Sequence, residues 1–133
     1  MVRMKKLLVL FLSVVVMASC TQYAKVQKSM DYDYKYELAK AYYMEGEYSQ
    51  ASSLLEDVLA FMKGTIYAEE SLYMLSMCYY NMKDYVTASH YFTTYYNTYP
   101  RGIYAEVARF MSARALYLDT PDPRLDQSST IRA

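Results

Sequence analysis

The fold is decided by residues 72–100, which read LYMLSMCYYNMKDYVTASHYFTTYYNTYP. Large apolar residues recur every three or four positions on both sides of Lys83 and Asp84, which is the pattern of two amphipathic helices joined by a short turn. Each half also carries one small residue within its apolar face, Ser76 in the first and Ala88 in the second. We therefore predict a helical hairpin whose two backbones approach each other closely at these small residues.

The same pattern recurs along the chain at an interval of 37 residues. Residues 66–69 read IYAE, and residues 103–106 read IYAE again. Helical hairpins repeated about every 34 residues, each too small to bury its apolar face alone, are typical of tetratricopeptide repeats. The sequence therefore predicts an all-α, tetratricopeptide-like superhelix of about two and a half repeats within residues 31–118. Core residue types are also found 37 positions before the core of residues 72–100, at Leu38, Tyr42, Tyr48, Ala51 and Leu55.

Turn-forming residues divide the chain into repeats, whose first and second helices we call A and B. The first repeat is predicted over about residues 33–62, with Gly46 supplying a left-handed turn between its two helices. The second repeat is predicted over about residues 66–98, with Thr65 capping its A helix. A third A helix is predicted over about residues 103–118.

Residues 1–19 are predicted to be a lipoprotein signal peptide. Three basic residues precede an apolar run at residues 7–16, which is shorter than the roughly 20 residues of a membrane-spanning helix. Two small residues then stand directly before Cys20, as in a bacterial lipobox. We expect cleavage before Cys20 and lipidation of its thiol, followed by a polar tether over residues 20–30. The alternative is an ordinary secretory signal that is cleaved nearby.

The repeat pattern ends after the third A helix. Residues 119–133 read DTPDPRLDQSSTIRA, which predicts a loop rich in proline and aspartate and then the start of another helix. Because the third A helix lacks its B partner, we expect this chain to be the N-terminal part of a longer protein.

The composition gives no support for catalysis or for nucleic-acid binding. The formal net charge is zero, and no run of basic residues is longer than two. The single histidine, His90, has no neighbours at the spacing of metal ligands, and the three glycines stand apart from one another. We therefore predict no catalytic residue, no metal site, no cofactor and no nucleic-acid partner. Cys78 is predicted to be a buried core residue.

Three features together resemble the BamD (ComL) family of outer-membrane lipoproteins. They are the lipobox with its short polar tether, the helical repeats with Tyr-Pro at residues 99–100, and the loop PDPRLDQ at residues 121–127. The resemblance covers essentially the whole chain, and the loop is its most specific part. It implies a non-enzymatic scaffold of the β-barrel assembly machine, anchored by lipid on the periplasmic side of the outer membrane. It also implies binding to a BamA-like barrel component and to nascent outer-membrane proteins.

In this class of repeats the A helices line a concave surface, which we predict to be a peptide-binding groove. Aromatic faces accommodate an extended apolar peptide, and Lys40 or Arg114 can pair with its terminal carboxylate. We predict that the groove holds the C-terminal aromatic segment of a nascent outer-membrane strand. The alternative is that the tyrosines pack between repeats and that Arg114 is solvated. The predicted groove residues are Tyr36, Lys40, Tyr43, Tyr73, Met77, Tyr80, Phe110, Arg114 and Tyr117.

Two other functions are compatible with lipid-anchored helical repeats. Glycan-capture lipoproteins of the SusD type also combine tetratricopeptide helices with aromatic stacking. They resemble much larger chains, however, and this sequence has no tryptophan, the commonest platform for a sugar ring. A repeat lipoprotein that serves cell-envelope or division complexes is the remaining alternative.

Overall fold

The computed structural model describes residues 25–120 together with Ser128 and Ile131. The chain divides into two units, Met1–Asp31 and Tyr32–Ala133. In the first unit, residues 25–27 form a helical turn. The predicted signal peptide, the lipidation site at Cys20 and the loop at residues 121–127 lie outside the described residues.

Residues 32–120 form a succession of α-helices. Each helix packs against the next one in sequence, and the first also contacts the third. This arrangement of consecutive helical hairpins confirms the predicted all-α, tetratricopeptide-like superhelix. None of the described helices is both long enough and apolar enough to cross a membrane. The A helices are α1 (Tyr32–Glu45), α3 (Ile66–Asn81) and α5 (Ala105–Leu118), and the B helices are α2 (Tyr48–Phe61) and α4 (Tyr85–Thr98).

Two tight turns make the helices of each hairpin antiparallel. Gly46, with φ of +82°, follows α1, and the absence of a side chain makes this left-handed conformation accessible. Lys83, with φ of +65°, occupies the corresponding turn after α3. Asp84 then caps α4, since its carboxylate accepts a hydrogen bond of 3.2 Å from the amide of Thr87. The turn predicted at Lys83 and Asp84 is therefore confirmed.

The structure differs from the prediction in the capping of α3 and in the start of α5, whereas α3 begins at Ile66 as predicted. Thr65 stands at the N-cap of α3, but its hydroxyl makes no capping bond and instead donates to the carbonyl of Met62 at 2.7 Å. That carbonyl lies just past the end of α2, where backbone acceptors lack partners within the helix. The third A helix begins at Ala105, two residues after the predicted start at about residue 103, and the amide of Ile103 donates to Glu69 just before the helix.

The hydrophobic core lies where the A and B helices cross. Ser76 on α3 and Ala88 on α4 are both fully buried, as expected for small residues in the interior of the hairpin. Phe92 and Tyr95, one helical turn apart on α4, are the largest fully buried side chains among the described residues. Cys78 is also fully buried, and burial raises the pKa of its thiol to about 12. It is a core residue, as predicted.

One hydrogen-bond network joins α3, α4 and the segment that leads into α5. The hydroxyl of Tyr95 donates to the Glu69 carboxylate at 2.6 Å and accepts from the amide of Tyr104 at 3.2 Å. The same carboxylate oxygen accepts from the amide of Ile103 at 3.2 Å. A Cβ atom on Gly102 would lie only 2.5 Å from that oxygen and 2.7 Å from the Tyr95 hydroxyl. Glycine at position 102 therefore makes the compact network possible.

We predict that Tyr95→Phe lowers the free energy of unfolding by about 1–3 kcal/mol, because it removes the hydroxyl shared by Glu69 and the Tyr104 amide. Urea denaturation followed by circular dichroism measures the change. Tyr96→Phe is the matched control, since the hydroxyl of Tyr96 makes no hydrogen bond to the described residues. That variant should unfold at the wild-type urea concentration. Equal stability of Tyr95→Phe and the wild type would contradict the proposed role of the network.

Candidate functional site

A repeated pair of aromatic rings holds each A helix against the next. Tyr36 of α1 packs on Tyr67 of α3 with ring centroids 4.8 Å apart. Tyr73 of α3 stacks on Tyr104, directly before α5, with centroids 4.1 Å apart and planes inclined by 12°. Both members of the second pair lie 37 positions after the corresponding members of the first. The surface that α1, α3 and α5 form in this way is called the A-helix face below.

A charged cluster lies beside the first of these ring pairs. The ammonium of Lys40 lies 3.2 Å from the Glu70 carboxylate, and the hydroxyl of Tyr36 donates a short hydrogen bond to the same carboxylate. The hydrogen bond from Tyr36 and the neighbouring Lys40 hold the pKa of Glu70 below its ordinary value. The hydrogen bond to Glu70 in turn raises the pKa of Lys40. Lys40 thus has a carboxylate partner within the protein.

A cavity of about 280 Å³ opens on the A-helix face next to this cluster. Burial raises the pKa of the Tyr43 phenol to about 12, so this wall residue is neutral at physiological pH. The volume lies just below the roughly 300–1,000 Å³ of small-molecule sites, which suits one apolar side chain better than a cofactor. The walls combine tyrosine and methionine with the ion pair, and they include Lys40, Tyr43, Met44, Glu70, Tyr73 and Tyr104.

A second cavity, of about 240 Å³, lies at the N-terminal ends of α3 and α5. Ile66 and Ile103 flank it, and both side chains are largely exposed. Glu70 and Tyr104 line this cavity as well as the first one, so the two cavities adjoin. Together they form a groove with apolar rims, called the A-face groove below.

The groove includes residues that the sequence analysis missed. Met44 was not predicted, although it is 84% exposed at the rim of the first cavity. Ile66 and Ile103 belong to the repeated IYAE motif. The sequence analysis used this motif to identify the repeat and did not predict that its isoleucines border a groove. Their recurrence near the start of successive A helices was the signal available in the sequence.

The structure brings three of the predicted groove residues together. Lys40, Tyr43 and Tyr73 line the first cavity. Tyr36 is only 3% exposed, because the first turn of α3 covers its ring, and it therefore packs between helices. This placement of Tyr36 agrees with the alternative that some of the tyrosines serve packing between repeats.

The other five predicted residues lie outside both cavities. Met77 and Tyr80 of α3 are half-buried against the hydrophobic core. Phe110, Arg114 and Tyr117 project from α5 and are exposed. The α5 residues therefore form a separate part of the A-helix face.

A third cavity, of about 740 Å³, lies between α4 and α5. Its walls include His90 and three hydroxyl groups that bond to one another, with Ser112 lying 3.0 Å from Ser89 and 2.9 Å from Thr93. Within residues 25–120 no group of histidine, cysteine, aspartate or glutamate side chains is placed to hold a metal ion. The hydroxyl groups are already satisfied by mutual hydrogen bonds.

Stacked helical hairpins of this kind define a tetratricopeptide-like repeat protein. A family model described as YfiO, outer membrane lipoprotein, matches residues 28–133. The chain therefore belongs to this BamD-like family of outer-membrane lipoproteins, which confirms the resemblance noted in the sequence. No curated protein matches the chain in a sequence comparison.

The depressed pKa of Glu70 predicts a pH-dependent contribution to stability. The ionised carboxylate stabilises the fold above the ordinary glutamate value of 4.5, and this contribution is lost as the pH falls through the lower pKa of the folded state. We predict that Glu70→Gln is less stable than the wild type at neutral pH and that the difference shrinks in acid. Thermal unfolding at a series of pH values measures it.

Glu37→Gln is the control for this experiment, since Glu37 is exposed beyond the first turn of α1 and forms no hydrogen bond or ion pair with the described residues. Its stability should follow that of the wild type at every pH. A difference between Glu70→Gln and the wild type that stays constant with pH would contradict the role assigned to the Glu70 carboxylate.

Proposed function

We propose that this protein is a non-enzymatic scaffold of outer-membrane β-barrel assembly, anchored on the periplasmic side of the membrane through lipid on Cys20. In this proposal it binds the BamA-like barrel component of the assembly machine, and it holds segments of unfolded outer-membrane proteins during insertion. The observation that carries the proposal is the family match over residues 28–133. The A-face groove supports it by offering apolar surface of a suitable size.

The shape of the groove suits one face of an extended strand. Strands of outer-membrane barrels alternate apolar and polar side chains, so the apolar groups on one face follow each other at about 6.6 Å. The cavity between Tyr43, Tyr73 and Tyr104 takes one apolar or aromatic side chain of such a strand. The exposed Ile66 and Ile103 contact the next one.

The Lys40–Glu70 pair determines which polar groups the groove accepts. Because Glu70 neutralises Lys40, the groove offers no unpaired cation at this point for a terminal carboxylate. An ammonium has three donors, however, and Lys40 is partly exposed. It donates to a backbone carbonyl of the bound strand, so that the groove selects an internal or uncharged segment.

Affinity purification of the tagged full-length protein from outer membranes in mild detergent, followed by mass spectrometry, tests the assembly role. We expect recovery of a large barrel protein with periplasmic repeats at its N-terminus. Recovery of a TonB-type transporter would favour glycan capture, and recovery of neither would contradict the assembly role. A Cys20→Ala variant is the control for anchoring and should be lost from the membrane fraction.

We predict that Met44→Glu weakens the binding of a strand-like peptide about fivefold or more, because it places a charge at the apolar rim of the first cavity. The probe is a labelled twelve-residue peptide of alternating apolar and polar residues with an internal phenylalanine. Fluorescence anisotropy with the full-length protein in detergent measures its affinity.

Met82→Glu makes the same chemical change at an exposed methionine outside the two cavities of the A-helix face. This control should bind the peptide as tightly as the wild type does. If Met44→Glu and Met82→Glu have equal effects on the affinity, the A-face groove is not the strand-binding site.

A further inference from the structure

Helix α1 holds α3 through an aromatic residue and a cation that lie one turn apart. The ring of Tyr36 packs on Tyr67 at 4.8 Å, and the ammonium of Lys40 lies 3.2 Å from the Glu70 carboxylate. Tyr67 and Glu70 stand three residues apart at the start of α3. Helix α1 therefore recognises an aromatic residue and an acid, separated by two residues, in the first turns of the helix that packs on it.

The corresponding positions on α3 and α5 show how this recognition changes between repeats. On α3 the position of Lys40 is occupied by Met77, and the position of Glu70 in the following A helix is occupied by Val107. Between α3 and α5, the cation and its acidic partner are therefore both absent. On α5 the aromatic residue and the cation are both present again, as Phe110 and Arg114.

The aromatic–cation pair of α5 has no partner among the described residues. Phe110 is 62% exposed, and Arg114 is exposed and forms no hydrogen bond or ion pair within residues 25–120. The two side chains lie four residues apart and therefore on the same side of α5. Tyr117, also exposed, extends this side toward the C-terminal end of the helix.

We propose that Phe110 and Arg114 bind the first turns of a helix that carries an aromatic residue followed three positions later by aspartate or glutamate. The aromatic ring packs on Phe110, as Tyr67 packs on Tyr36, and the carboxylate pairs with the Arg114 guanidinium. An acid near the start of a helix is additionally favoured by the helix dipole. The planar guanidinium of arginine can bind such a carboxylate through two parallel hydrogen bonds.

The occupant comes from outside residues 1–133. Residues 118–133 contain no aromatic side chain, so they lack the residue that would pack on Phe110. The chain's own Tyr67 and Glu70 are already held by α1. A second folded copy therefore cannot present this pair without opening its own first repeat.

A peptide copied from α3 provides a probe with the required chemistry. The peptide spans residues 64–75, GTIYAEESLYML, with a soluble, fluorescently labelled C-terminal tail. Its affinity for the full-length protein in detergent is measured by fluorescence anisotropy. We expect saturable binding that weakens at least fivefold with Arg114→Glu in the protein or with Glu70→Lys in the peptide. Combining Arg114→Glu in the protein with Glu70→Lys in the peptide should restore the affinity. The ion pair then forms again, with the acid on the protein and the cation on the peptide.

Arg109→Glu is the matched control on the same helix, since the Arg109 guanidinium lies 5.2 Å from the centre of the Tyr96 ring, and consecutive residues of a helix do not share a face. Its affinity for the helical probe should equal that of the wild type. Met44→Glu should also leave this affinity unchanged, so that failure of the strand-binding proposal and failure of the present one are distinguishable. Circular dichroism of each variant verifies that the exposed substitutions leave the fold intact.

Three results would overturn the proposal. The first is an affinity for the helical probe that Arg114→Glu does not weaken. An affinity that stays weak when Arg114→Glu in the protein is combined with Glu70→Lys in the peptide counts equally. The second is binding of the strand-like peptide that is lost in Arg114→Glu, which would assign α5 to unfolded clients. The third is self-association of the full-length protein that Phe110→Ala abolishes, which would assign the surface to a second copy.

Discussion

Ring-on-ring packing between successive A helices is the contact on which the rest of this structure depends. Tyr36 meets Tyr67 between α1 and α3, and Tyr73 meets Tyr104 between α3 and the start of α5. Each pair joins one repeat to the next at the A-helix face. They also build the groove, because Tyr73 and Tyr104 are both packing residues and walls of the first cavity. The packing of the repeats and the proposed binding of a strand therefore involve the same side chains.

The position of Tyr104, which precedes its helix, is fixed by a network of hydrogen bonds. The hydroxyl of Tyr95 on α4 accepts a hydrogen bond from the Tyr104 amide and donates one to the Glu69 carboxylate. That carboxylate also accepts a hydrogen bond from the amide of Ile103. Because Gly102 has no side chain, the segment between α4 and α5 can lie against both groups. A carboxylate on one A helix thus fixes the start of the next A helix and, through it, one wall of the groove.

Charge pairing divides the A-helix face into two regions with different chemistry. In the first region Lys40 and Glu70 neutralise each other, and tyrosine, methionine and isoleucine line much of the remaining groove. In the second region, on α5, Arg114 has no carboxylate partner among residues 25–120. An uncharged strand is complementary to the first region, whereas a helix start with an acidic residue is complementary to the second. One face of a repeat protein can in this way hold two ligands of different structure.

The sequence by itself determined the helical hairpins, their interval of 37 residues and the small residues where the helices cross, such as Ser76 and Ala88. These features depend on apolar spacing within one helix and on its recurrence, both of which a single sequence contains. Only the tertiary structure decided which predicted groove residues are open. Tyr36 is buried by the first turn of α3, and Lys40 is paired with a carboxylate thirty residues away. Exposure at Met44 was likewise unpredicted, because the exposure of a side chain depends on how neighbouring helices are placed, which periodicity within one helix does not specify.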